Sequence, residues 1–270
     1  MEPGDEKEAH EQLQIARSNL GPQAAAAWVH VGEFIADNDL DLWSGLTAKT
    51  CFRTALDLLP PGVHDPFRAD ALLGYGAALT EEGSGYRDPV LEEAITCLSE
   101  AILLFAAIPD REAELEARYF RAYANSELVG ISRFAAGENA IVELEDLRGL
   151  VNPRANPVLF ANIHSLLGNA YLDRAEGDPR ENHTQAKTAF RAALKVHRRM
   201  GSKVGCAQGN LDLAVTFNRL RTLGDPKASR NAIYCARKAT AFVDTDIHLE
   251  LKTTILVTYA KALQNRGGRR

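Results

Sequence analysis

An all-α chain of about five helix pairs followed by a terminal helix is what this sequence predicts, and three observations predict it. Long segments rich in Ala, Leu, Glu and Arg carry apolar residues three and four apart, which places them on one face of a helix. The apolar-polar alternation of strands is almost missing. Clusters of Gly, Pro, Asn and Asp break the helical pattern at even spacing, as short turns between paired helices would.

Taken in order, residues 1–21 read as an N-terminal tail with a short helix, and Gly21-Pro22 opens the repeated region, 22–265. The first pair runs to Pro60-Pro61, with the acidic run Asp37, Asp39 and Asp41 as solvated loop charge. The second breaks at Gly83 to Gly85 and ends near Pro109. The third breaks between Gly130 and Gly137 and ends at Asn152-Pro153. The fourth breaks at Gly177 to Pro179 and stops at Gly201; the fifth breaks at Gly224 to Pro226 and stops at Asp244 to Asp246. A last helix fills 245–265, and 266–270, with the terminal GGRR, is a tail.

The second helices repeat. Ala48, Ala94, Ala140, Ala186 and Ala232 stand 46 residues apart. Four positions on come Phe52, Leu98, Leu144, Phe190 and Ala236, and three further Ala55, Ala101, Leu147, Ala193 and Ala239. Spacing of i, i+4 and i+7 keeps each triplet on one helical face, so small residues let helices approach around a bulky plug. The first helices align at Gly32, Gly74, Phe120, Gly168, Ala214 and Leu256.

Around those positions stand Trp28, Val31, Gly32 and Ile35 in the first unit and Leu167, Gly168 and Tyr171 in the fourth. This pattern, followed by Ala, Phe and Ala on the next helix, resembles the tetratricopeptide repeat (TPR), and Pro60 sits where that repeat often ends. The unit here is 46 residues long rather than 34, a long variant. LGNAYLDRAEGDPREN and the Ala-rich helix after it look like the long-unit arrays that accompany CHAT-type, caspase-like peptidases in actinobacteria; no peptidase domain is visible. The resemblance implies a TPR-like α-solenoid and a non-enzymatic scaffold that holds a protein or peptide partner in its concave groove, regulating an effector.

Asp88-Pro89, Asp178-Pro179 and Asp225-Pro226 each precede a second helix. Recurrence favours capping over acid catalysis, because Asp accepts the orphan N–H groups of a starting helix while Pro gives up a donor the first turn does not need. His30, Glu33 and Asp37 share a helix face as metal ligands would, but no second ligand-rich helix accompanies them, and no metal or other cofactor is expected. His64, His164, His183, His197 and His248 are scattered. Gly74-Tyr75-Gly76 falls inside a helix, where it permits close packing rather than phosphate binding. Cys51, Cys97 and Cys235 share one repeat position and Cys206 lies in a first helix; stacked units about 8 to 10 Å apart are too distant for disulfides, so these read as packing residues.

A net charge of −5 without a long Lys/Arg run argues against nucleic acid. With 46% hydrophobic residues, no stretch long enough to span a membrane and an acidic start, a cytoplasmic protein is expected. In a stack of this kind the first helices line the concave side, and residues at −6, −3, +1 and +4 from the aligned position are expected to face it. That strip is Glu33, Arg68, Tyr75, Arg121, Asn162, Asn169, Gln208 and Asn218. Asn169 matches the groove asparagine of peptide-binding TPR arrays, whose amide pairs both ways with an extended backbone. The alternative is an enzyme or small-molecule receptor with His30 and Glu33 in a site inside the superhelix.

Overall fold

A short polar side chain, Thr47, Asp65, Asp110, Asn156, Asp178 or Ser202, caps the start of six of the helices described below, and in three of them proline follows it. In the computed structural model, which describes residues 3–38, 40, 43–59, 65–82, 87–129, 133–243 and 249–267, every regular element is helical. Outside the described residues lie Asp39, Asp41, Pro60-Pro61, His64, Gly83 to Gly85, Gly130, Asp244 to Asp246, His248 and the last three residues of the GGRR tail. The elements are α1 (Pro3–Ser18), α2 (Pro22–Asp37), α3 (Ala48–Leu58), α4 (Pro66–Glu81), α5 (Asp88–Ala107), α6 (Arg111–Glu127), α7 (Arg133–Leu150), α8 (Pro157–Asp173), α9 (Pro179–Met200), α10 (Lys203–Thr222), α11 (Ala228–Thr240) and α12 (Leu249–Gly267).

Asp65, Asn156 and Asp178 each precede a proline in the first turn of α4, α8 and α9. Their side chains accept from Phe67 N at 2.8 Å, Leu159 N at 3.1 Å and Arg180 N at 2.9 Å, satisfying donors the helix itself leaves unpaired. The capping role predicted for Asp178 is therefore present. Two related expectations fail. Asp88 already lies within the first turn of α5 behind Arg87; it is buried and accepts from Val129 N at 3.1 Å, tying the end of α6 to the start of α5. Asp225 accepts from Lys227 N at 2.9 Å in a turn that ends before α11 begins. The Asp-Pro pair specifies a local turn, and packing decides whether the helix starts inside it or after it.

The chain divides into two compact units, residues 1–136 and 137–270. In the first, α2 packs on α3, α3 on α4, α4 on α5 and α5 on α6, while the first helices also touch one another, α2 with α4 and α4 with α6. One layer is thus α2, α4 and α6, and the other α3 and α5. In the second unit α8 packs on α9, α9 on α10, α10 on α11 and α11 on α12, with α10 and α12 also in contact. Glu145 and Glu138 of α7 accept from Tyr171 Oη at 2.9 Å and Arg174 Nε at 2.8 Å.

The repeated triplet forms the core. Ala94, Ala140, Ala186 and Ala232 are fully buried, as are Leu98, Leu144, Phe190 and Ala236; Ala48, in the first turn of α3, is half-buried. Glycines receive the plugs. A Cβ on Gly32 would stand 2.9 Å from the Phe52 ring, and one on Gly74 would overlap the same ring from α4. Phe52 therefore inserts between the first helix of its own pair and that of the next. Gly76 takes Leu98 of α5, and Gly168 takes Phe190 of α9. Gly74-Tyr75-Gly76 permits close packing, as its sequence predicts. The alignment slips in the last helix, where Leu256 is exposed and Ile255 is fully buried.

All four cysteines are free thiols; Cys51, Cys206 and Cys235 are buried and Cys97 half-buried. Burial pushes the Cys51, Cys97 and Cys235 thiols up to about 11, which keeps them protonated and unreactive near neutrality. Among the described residues no helix is long and apolar enough to cross a membrane.

Close approach over glycine makes a direct prediction. Gly168→Ala is expected to cost about 1 to 3 kcal/mol by forcing Phe190 aside, and Phe190→Ala about 3 to 5 kcal/mol through the cavity it leaves. Asn169→Ala, one residue from the glycine but exposed, should change stability by less than about 0.5 kcal/mol. Urea denaturation of the three variants measures this; a neutral Gly168→Ala would show that the two helices are not in backbone contact.

Candidate functional site

A concavity lies in the first unit, between the layer of first helices and the start of α3. It has a volume of about 750 Å³. From α2 come Glu33, Ala36 and Asp37; from α4 Asp70, Leu73, Gly74, Ala77, Ala78 and Glu81, with Glu82 just beyond; from α6 Glu116 and Phe120. Thr47, Ala48, Lys49 and Phe52 close it from α3 and its cap. Because Gly74 has no side chain, the Phe52 ring comes forward between α2 and α4 and, with Leu73 and Phe120, gives the cleft its apolar surface.

The walls are acidic. Among the described residues six carboxylates, Glu33, Asp37, Asp70, Glu81, Glu82 and Glu116, line the cleft against one ammonium group, Lys49, and that group is held by Glu82 at 2.7 Å. Burial raises the Asp70 carboxyl to about 6; Glu33, Asp110 and Asp65 push it further up and His30 opposes them. Burial also raises Glu33, with Asp37 adding to the effect and His30, whose Nδ1 lies 3.4 Å from Glu33 Oε2, pulling it back. Glu116 is raised by burial and by Glu112 and Asp37. A shared cause runs through all three: carboxylates from three helices face one partly dehydrated space.

Of the residues predicted to line a groove, Glu33 is in this cleft. Arg68 is not: it is buried, donating from Nε to Glu100 at 2.8 Å and from Nη1 to Leu59 O at 2.9 Å. Tyr75 is buried too, donating to Glu93 Oε1 at 3.1 Å and accepting from Arg53 Nη1 at 3.2 Å. Arg121 is half-buried and reaches Ser99 Oγ of α5 at 3.4 Å. The other four lie in the second unit. Asn162 is half-buried and Asn169 exposed on α8; on α10, exposed Gln208 donates to Asp212 Oδ1 at 2.8 Å and half-buried Asn218 to Thr258 O at 3.5 Å.

In α4 and α6 the cleft face lies about one residue, roughly 100° of helix rotation, from the predicted strip, whereas in α2 it follows the strip through Glu33 and Ala36. The strip assumes that the aligned glycine packs away from the concave side, whereas in α4 the glycine is at the bottom of the cleft, facing Phe52. The cleft face is centred on that position, so the residues a turn before it, Asp70 before Gly74 and Glu116 before Phe120, form the walls. The same offset holds His164 in α8 and Asn210 in α10, so the offset alone does not mark a cleft wall. In the second unit both are buried: His164 lies against the Phe160 ring at 4.3 Å, and burial, with Arg148 adding, pushes it down to about 4. Asp212 of α10 is pushed up to about 7 by burial, with the Gln208 hydrogen bond opposing.

Among the described residues no group of three or more His, Cys, Asp or Glu is placed to hold a metal ion, the cleft carboxylates included. Compared with known protein families and with curated proteins, the chain matches none of either.

The acidic walls give a pH prediction. A carboxyl whose folded pKa is raised from 3.8 to about 6 destabilises the fold when ionised and ceases to do so once protonated. Asp70→Asn should therefore raise the melting temperature near pH 7.5 (about neutral-to-basic conditions). The gain should shrink as pH falls through about 6 and vanish below 3.8, where both states are protonated. Thermal melts across that range test it, and a gain that grows on acidification would contradict the assigned electrostatics.

Proposed function

We propose that this chain is a non-enzymatic binding scaffold, a TPR-like α-solenoid of 46-residue units that holds an extended segment of a protein partner along the first helices α2, α4 and α6. The observation that carries the reading is the open cleft of about 750 Å³ formed by those helices, with Phe52, Leu73 and Phe120 at its base. Apolar surface supplies affinity by losing water, and polar rims set orientation. The second unit carries Asn162, Asn169, Gln208 and Asn218 on its own first helices, outside the cleft.

The alternative, an enzyme or small-molecule receptor, draws on the same cleft, because Glu33, Asp70 and Glu116 all have raised pKa values and such groups concentrate at active sites. Among the described lining residues the groups of nucleophilic type are Thr47, at the cap of α3, and Lys49, which Glu82 holds at 2.7 Å, so the binding reading is the one proposed.

Selection from a randomised peptide display library tests the scaffold reading. Recovered peptides should lose at least roughly tenfold in affinity for Ala78→Trp, which fills the cleft from α4, and bind Asn169→Ala normally. Circular dichroism confirms that both variants fold. If Asn169→Ala abolishes binding and Ala78→Trp does not, the site lies on α8 rather than in the cleft.

A further inference from the structure

We infer that the segment this cleft takes is cationic, an arginine- or lysine-rich stretch whose binding displaces protons from the cleft walls. The inference rests on the scaffold reading above and adds the chemistry of the ligand.

Three features of the cleft point to such a side chain. Glu33, Asp70 and Glu116 come from three different helices and face one volume, so the charge is assembled by the tertiary fold rather than by a run in the sequence. The base is apolar and aromatic, through Phe52, Leu73 and Phe120. Arg and Lys combine an apolar stem with a charged tip, and a guanidinium stacks on a ring face, so both halves of the side chain meet a matching surface. Among the described lining residues the cation is Lys49, and Glu82 holds it at 2.7 Å, away from Glu33, Asp70 and Glu116. A bare divalent ion fits less well, because the carboxylates are not gathered within coordination distance of one point.

Proton linkage follows from the same geometry. Asp70 faces Glu33 and His30 from α2, Asp110 at the cap of α6 and Asp65 at the cap of its own helix. Like charges held together take up protons more readily than isolated ones, and an incoming cation favours the ionised form. Proton and ligand therefore compete for one set of oxygens.

Isothermal titration calorimetry with three capped peptides, in which arginine, glutamine or glutamate alternates with alanine, tests the inference. At about pH 7.5 the arginine peptide should bind at least roughly tenfold more tightly than the glutamine peptide, the glutamate peptide most weakly, and added salt should reduce the difference. Near pH 5.5 the arginine affinity should fall by about tenfold, and titrations in buffers of different ionisation enthalpy should show proton release near pH 6 (about the Asp70 value). Asp70→Asn with Glu116→Gln, folded by circular dichroism, should lose most of the arginine preference and its pH dependence. Asp70→Asn alone should lose part of both and serves if the double variant does not fold. The inference is overturned if arginine gives no advantage over glutamine, or if the advantage survives in the carboxamide variants. Should arginine and glutamine peptides bind equally well and both be lost in Ala78→Trp, the scaffold reading stands and the charge inference alone falls.

Discussion

Seating a bulky side chain of one helix on a glycine of another is the contact on which the rest of this structure depends. Phe52 lies against Gly32 and Gly74 at once, so a single ring sets the separation of α2, α3 and α4. Phe190 on Gly168 does the same for α8 and α9. The alanines that flank most of the plugs allow that approach, and the burial of Ala55, Ala94, Ala101, Ala186 and Ala193 shows that almost no space is left there to absorb a change. The same contact creates the cleft: where two first helices meet Phe52 through glycine, no side chain of α4 fills the groove, and the ring itself becomes part of its lining.

Around that apolar base the fold keeps an electrostatic arrangement that does not serve stability. Elsewhere in the first unit charges are paired across helices, as in Arg68 with Glu100 and Arg53 with Glu93 through Tyr75. In the cleft, carboxylates face carboxylates, and burial together with mutual repulsion raises Glu33, Asp70 and Glu116. Like charge concentrated in a concavity is relieved by either a proton or a cation, and His30 and Lys49 relieve it only at Glu33 and Glu82 among the contacts described. Asp212 in the second unit differs: it is a single buried carboxyl with a glutamine donor, and its shift reports dehydration rather than a cluster.

Much of the fold was legible because it is written locally. Helical periodicity, the 46-residue recurrence of Ala, bulky residue and Ala, and the breaks between helices all depend on residues close in the chain. The same is true of the cap at Asp178. Legibility stopped where a residue's role is fixed by a distant element. Asp88 looks like Asp178 in sequence, yet it is drawn inward to Val129, forty-one positions away, as its 3.1 Å bond shows. Leu256 fits the alignment of the first helices, yet Ile255 is the residue that α12 buries.

The candidate site divides in the same way. By itself the sequence determined the helices, the recurrence of a bulky residue between small ones on the second helices and the membership of Glu33 in a polar face, because these follow from spacing along one helix. Only the tertiary structure decided which way each first helix turns that face. A rotation of one residue sends Arg68 and Tyr75 into the interface with the second helices and brings Asp70 and Glu116 to the cleft walls. Helical periodicity gives relative angles within an element, and the absolute angle is set by what the neighbouring helix presents to it, here the ring of Phe52 against Gly74.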